Sequence, residues 1–175
     1  MDNSAPAGVD TSRIGVRELS KANDAATERY AELKGIERAH RGRDGWWVGL
    51  TPEMRTRKAP HCVPIPDWGG DLRAAAAELA SISAPECDGG GEMPMAYRVE
   101  MVRRRTRDGF DLRAEATIGM EEMLRVYARG SASMVRDGCE DAGRLCALAV
   151  TRAMIRMREA ESSPQEPTES TEAGR

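Results

Sequence analysis

A chain of 175 residues, 40% apolar and 31% charged, is long enough to bury a core and reads as one domain with polar ends. Its net charge of −3 excludes the strongly basic footprint of a dedicated nucleic-acid binder. It holds no apolar run of about eighteen residues of the kind that spans a membrane.

Aromatic residues make up only 4% of the chain, and Phe110 is the single phenylalanine. Leu, Val, Met and Ala must therefore fill the core, and alanine there implies close approach of helix to sheet. Glu161, Glu166, Glu169 and Glu172 against Arg175 make the C-terminal stretch acidic, and Asp2 and Asp10 do the same at the start, which leaves a mildly basic body. Apart from Lys21, Lys34 and Lys58, every basic residue is arginine. Drift in a GC-rich genome accounts for that, or else selection for phosphate or carboxylate recognition, which the planar guanidinium does better than an ammonium. Cys62, Cys87, Cys139 and Cys146 have no zinc spacing, and His40 and His61 are the only histidines. The start has no basic region leading into an apolar run, so free thiols and a cytoplasmic location are expected.

In chain order, residues 1–11 read as a disordered arm. Residues 12–41 read as a long amphipathic helix, with Leu19, Ala22, Ala26, Tyr30, Leu33 and Ile36 at steps of three and four, and Gly35 or Gly42 to end it. The stripe is narrow, which places the helix on a surface or against a second chain. Leu19, Ala22, Ala26, Tyr30 and Leu33 are the candidate partner contacts.

Residues 42–160 read as an α+β sandwich domain. It starts irregularly, punctuated by Gly42, Gly45, Pro52, Pro60, Pro64 and Pro66, around the apolar knot Trp46-Trp47-Val48-Gly49-Leu50, a candidate short strand. Adjacent tryptophans usually divide into a core anchor and a partly exposed cover; ligand stacking is the alternative. His61-Cys62 lacks the spacing that brings a thiol and an imidazole into productive geometry. A short helix follows from Asp67 or Asp71 to about Ser83, with Leu72, Ala75, Ala76, Leu79 and Ile82 on its apolar side. Gly89-Gly90-Gly91 is a flexible connection, with no Gly-Lys-Ser/Thr to make it a phosphate loop.

Period-two alternation then marks strands on both sides of a basic turn, Arg103 to Arg107. Tyr97, Val99 and Met101 lie before it, and Phe110, Leu112, Ala114, Ala116 and Ile118 after it, on one face that is expected to be buried. Leu124 to Met134 continues the alternation as a third strand. The intervening Arg98, Glu100, Arg113, Glu115, Arg125 and Arg129 are expected to pair across strands on a solvated face. A last helix runs from Asp137 to about Ala160, and 161–175 reads as a disordered acidic tail. The fold class expected is α+β, a two-layer sandwich of a three-stranded antiparallel meander packed by helices, preceded by the N-terminal helix.

Gly45-Trp46-Trp47, the run from Pro64 to Ala76 and the run from Asp141 to Val150 together resemble the phage ABA sandwich domain, a family of small phage and prophage proteins. The likeness spans about Tyr30 to Met157. It implies that family's fold and a phage or prophage setting, with no reaction, cofactor or site residue attached. The function expected is therefore a non-enzymatic accessory or interaction protein that contacts another protein or itself, with no cofactor, metal or membrane. The alternative is a nucleic-acid contact through Arg103, Arg104, Arg105 and Arg107, joined by Arg38, Arg41 and Arg43. An enzyme would draw on His61, Cys62, Asp67, Asp71, Glu86 and Asp88, which fall into no paired role.

Overall fold

The computed structural model describes residues 13–14, 16–82, 95–107, 109–120, 125–136 and 141–162. It begins with a short strand, β1 (Arg13–Ile14), and the helix α1 (Val16–Leu33). Gly35, in the left-handed region at φ 71°, ends α1: its N–H donates to Glu32 O, and Ile36 N–H donates to Ala31 O. That is the Schellman arrangement, with Ile36 folding back on Ala31. The helix is thus shorter than the 12–41 expected, and 37–41 is extended instead.

The next elements are β2 (Glu37–Arg41), β3 (Trp47–Leu50), α2 (Pro52–Arg55), β4 (Val63–Pro64) and α3 (Leu72–Ser81). The three strands form a small antiparallel sheet in the order β2-β3-β4; β3 is the short strand expected in the apolar knot at 46–50, while β2 and β4 were not expected. The expected boundary between 41 and 42 therefore falls inside the β2–β3 hairpin. Trp47 is the buried anchor of the tryptophan pair and Trp46 the exposed cover, 3% and 70% exposed. Asp71 caps α3 by accepting from Arg73 N–H at 2.8 Å.

The large sheet is built by β5 (Met95–Thr106), β6 (Gly109–Met120) and β7 (Arg125–Arg136), an antiparallel meander, with β1 parallel to β7 at its edge. The basic turn shrinks to two residues, because Thr106 pairs directly with Gly109. Arg103, Arg104 and Arg105 belong to the strand: apolar alternation stops at Met101, but the backbone ladder does not. Between β6 and β7 the register shifts at Ile118/Gly119, so Tyr127 is an extra residue.

The closing helix α4 (Ala142–Ser162) lies on β6 and β7. Its close approach depends on small residues below it. A Cβ at Gly130 would stand 1.9 Å from Ala149 O and 2.4 Å from Ala153 N. Ala114, Ala116, Ala128 and Ala132 surround that point, all buried. Leu145, Leu148, Val150 and Met154 of α4 join Leu112, Ile118 and Met134 of the sheet in the core. The protein is α+β with two sheets rather than one, and α1 is built into its core.

Candidate functional site

Buried polar groups hold the helices together around the turn at Trp68, Gly69 and Gly70. The Thr27 hydroxyl donates to Asp67 Oδ1 at 3.1 Å and accepts from Gly69 N–H at 2.8 Å. Thr151 Oγ1 donates to Trp68 O at 2.6 Å, and Asn23 Nδ2 to Arg144 O at 3.3 Å. Arg41 reaches Asp24 at 2.6 Å and Asp67 at 3.0 Å, and lies 5.4 Å from the Trp47 ring centre. Those carboxylates, Asp24 foremost, push its pKa up, so the charge is held in place. Tyr30 packs edge-on to Trp68 at 5.1 Å and donates to Glu78 Oε1 at 3.0 Å. Its phenol pKa is raised by burial first and by Glu78 second. Beside this cluster Trp46, Trp47, Ile65, Asp67 and Asp71 line an open cleft of about 540 Å³.

Of the groups an enzyme would draw on, Asp67, Asp71 and His61 have local contacts, and Cys62 is a half-buried free thiol. Asp67 serves the turn and Arg41, Asp71 serves as a cap, and the His61 ring sits 3.2 Å from Ala59 O. Cys146 is buried, and that burial raises its thiol pKa. Glu86, Asp88, Cys87, Cys139, the glycine connection and the two terminal arms lie outside the described residues. Among the described residues no group of three His, Cys, Asp or Glu side chains is placed to hold a metal, and no helix is long and apolar enough to cross a membrane.

The stripe expected to meet a partner is turned inward. Leu19 and Tyr30 are 0% exposed and Ala26 7%, while Ala22 and Leu33 are half-buried. α4 covers this side of α1. The apolar surface that is left open lies elsewhere, on β5. Tyr97, Val99 and Met101 stand opposite Ile118, Ala116 and Ala114 and share their face of the sheet. The β6 partners are buried, but Tyr97, Val99 and Met101 are 39%, 42% and 44% exposed. This overturns the expectation of one wholly buried hairpin face. α4 sits over β6 and β7, so the face runs out from under it at β5.

On the opposite face Val102 is 60% exposed. The charges there pair along strands, Arg98 with Glu100 and Arg113 with Glu115. Cross-strand pairing was expected, but the register puts Glu100 opposite Glu115 and Arg98 opposite Thr117. Beyond this patch Arg103, Arg104, Arg105 and Arg107 are all exposed. They alternate over both faces, with Arg104 opposite Asp111 and Arg103 opposite Leu112. Arg41, tied to two aspartates, is withdrawn from any such basic surface, whereas Arg38 and Arg43 are exposed.

Strand β5 is 12 residues long, about twice the usual length, pairs with β6 without a register shift, and contains neither proline nor lysine. Its other edge has no strand beside it among the described residues. No family model matches this chain, and neither does any curated protein or solved structure.

Proposed function

We propose that this chain is a non-enzymatic interaction protein that binds another protein chain along the β5 edge. The carrying observation is the continuous exposed strip Tyr97, Val99 and Met101 on a 12-residue strand whose outer edge has no strand beside it among the described residues. Single exposed apolar residues are ordinary, but an apolar row next to free strand hydrogen-bonding groups fits an added strand. The backbone supplies affinity and the row supplies selectivity. A phage or prophage accessory role is the setting we attach to it, supported by the resemblance to the phage ABA sandwich domain. The absence of a reaction in the reading rests on the structural employment of Asp67 and Asp71.

The test is affinity capture from phage-carrying host cells with the whole chain and a Val99→Lys/Met101→Lys variant in parallel. A protein held by the first and lost by the second is expected. Equal recovery by both would remove the β5 edge as the contact.

A second reading, a nucleic-acid contact, is favoured by the exposure of all four arginines at one end of the hairpin. No aromatic platform interleaves them, so phosphate contact is the mode it fits. Retention on duplex or single strands should then fall steeply between low and moderate salt, and no binding at low salt would end it.

A further inference from the structure

Two copies of one edge strand can pair antiparallel about a two-fold axis, and the sequence decides where that axis can fall. Thr106–Gly109 closes the β5–β6 hairpin across two residues. Such a closing pair is hydrogen-bonded, so by alternation the N–H and C=O of Tyr97, Val99 and Met101 point to the free edge.

With the axis at Val99, each Arg98 stands opposite Glu100 of the second copy, on the outer face. On the inner face Val99 meets Val99, and each Tyr97 meets Met101, an aromatic–thioether contact that extends the core row. Ala96 meets Val102. Registers with the axis at Arg98, Glu100, Met101 or Val102 fail on the same residues, and one at Tyr97 shortens the pairing to Met95–Val99. An axis at Glu100 sets the two glutamates against each other, and one at Arg98 does the same with the arginines. An axis at Met101 opposes Arg98 with Arg104. An axis at Val102 pairs Glu100 with Arg104 but sets Val99 and Met101 opposite Arg105 and Arg103.

We propose that the β5 edge is a homodimer contact, with Val99 on the two-fold axis and Arg98 paired to Glu100 of the second copy. This rests on the strand-edge reading above and names its occupant. The four-stranded sheets of two copies then join into one of eight strands. Arg103 falls opposite Met95, the end residue of the paired strand, and Arg104 and Arg105 overhang the pairing at both ends, where they guard against slippage to longer registers.

Sedimentation equilibrium on the purified full chain, with Arg98→Glu and Glu100→Arg variants, tests this. The unaltered chain should dimerise. Each single variant places two like-charged pairs across the axis and should dimerise about tenfold more weakly or worse. An equimolar mixture of the two variants restores both pairs in trans and should form a heterodimer. The double variant R98E/E100R should regain self-association, which separates the effect from misfolding. A monomer at the highest soluble concentration, or a mixture no tighter than its components, overturns the homodimer. If that result comes with capture of a different protein that depends on Val99 and Met101, the strand-edge reading survives without the homodimer. If that capture also fails, both readings fall.

Discussion

The two edges of the large sheet are treated differently. At β7 the edge is closed in two ways: β1 pairs with Ser133 and Met134, and α4 supplies guanidinium groups to the backbone beyond. Arg152 Nη1 donates to Ser131 O at 2.7 Å, and Arg156 Nη1 to Arg129 O at 2.8 Å. At β5 no strand or helical arginine plays that part among the described residues, although the strand is of equal length. An edge carries unpaired donors and acceptors that invite another strand. Among the described residues the chain occupies those of one edge with its own side chains and not those of the other, which gives the sheet a polarity for association.

The strongest way to break this contrast is Gly130→Val, because its new atoms would collide with backbone of α4 and lift the helix from β7. A loss of about 3 kcal/mol or more in urea unfolding is expected, with the β7 edge opened as a result. Arg152→Ala removes one edge donor and leaves the Ser131 carbonyl to water; about 1–2 kcal/mol should be lost in the same assay.

A phenol in the core and a phenol at the half-covered β5 margin report the contrast more gently. Tyr30 is held protonated in the core, above the ordinary 10.0, whereas Tyr97 is raised by burial alone. The unfolded phenol ionises first. Stability from Tyr30 is therefore complete below pH about 10 and declines as pH rises toward the folded value. Tyr30→Phe should flatten that alkaline decline in pH-dependent unfolding. Least affected of all should be Val99→Ala: about 0.5 kcal/mol of fold stability at high dilution, since Val99 is 42% exposed and lies outside the buried core.

The meander was legible because Leu112, Ala114, Ala116 and Ile118 alternate with polar residues and their strand is covered on one face. The same alternation at Tyr97, Val99 and Met101 misleads about burial. Period two identifies a strand face but cannot say how far a helix extends across it. Residue size carried the missing signal: glycine and alanine on β6 and β7 admit a helix, while tyrosine, valine and methionine on β5 hold one off. The α1 stripe misleads in the opposite direction. It looks narrow because Asn23, Thr27 and Ala31 widen it, and two of these are polar residues that are wholly buried by partners 40 or more positions away. The end of α1 at Gly35 was readable from glycine chemistry and β3 from its apolar run, whereas β2, a mostly charged strand, and the two-residue β4 carry no periodicity to read.

Thr27 has one further consequence, for cooperativity. Its single hydroxyl joins α1 to the Trp68 turn, and Arg41 ties the same Asp67 to β2. Separating the small sheet from the helices would strand the Gly69 amide and break the Asp67 contacts in one event. The turn has no low-energy route for opening alone, so the small sheet, α1 and α4 should breathe as one unit, and slow exchange at Gly69 belongs to the whole fold rather than to a loop.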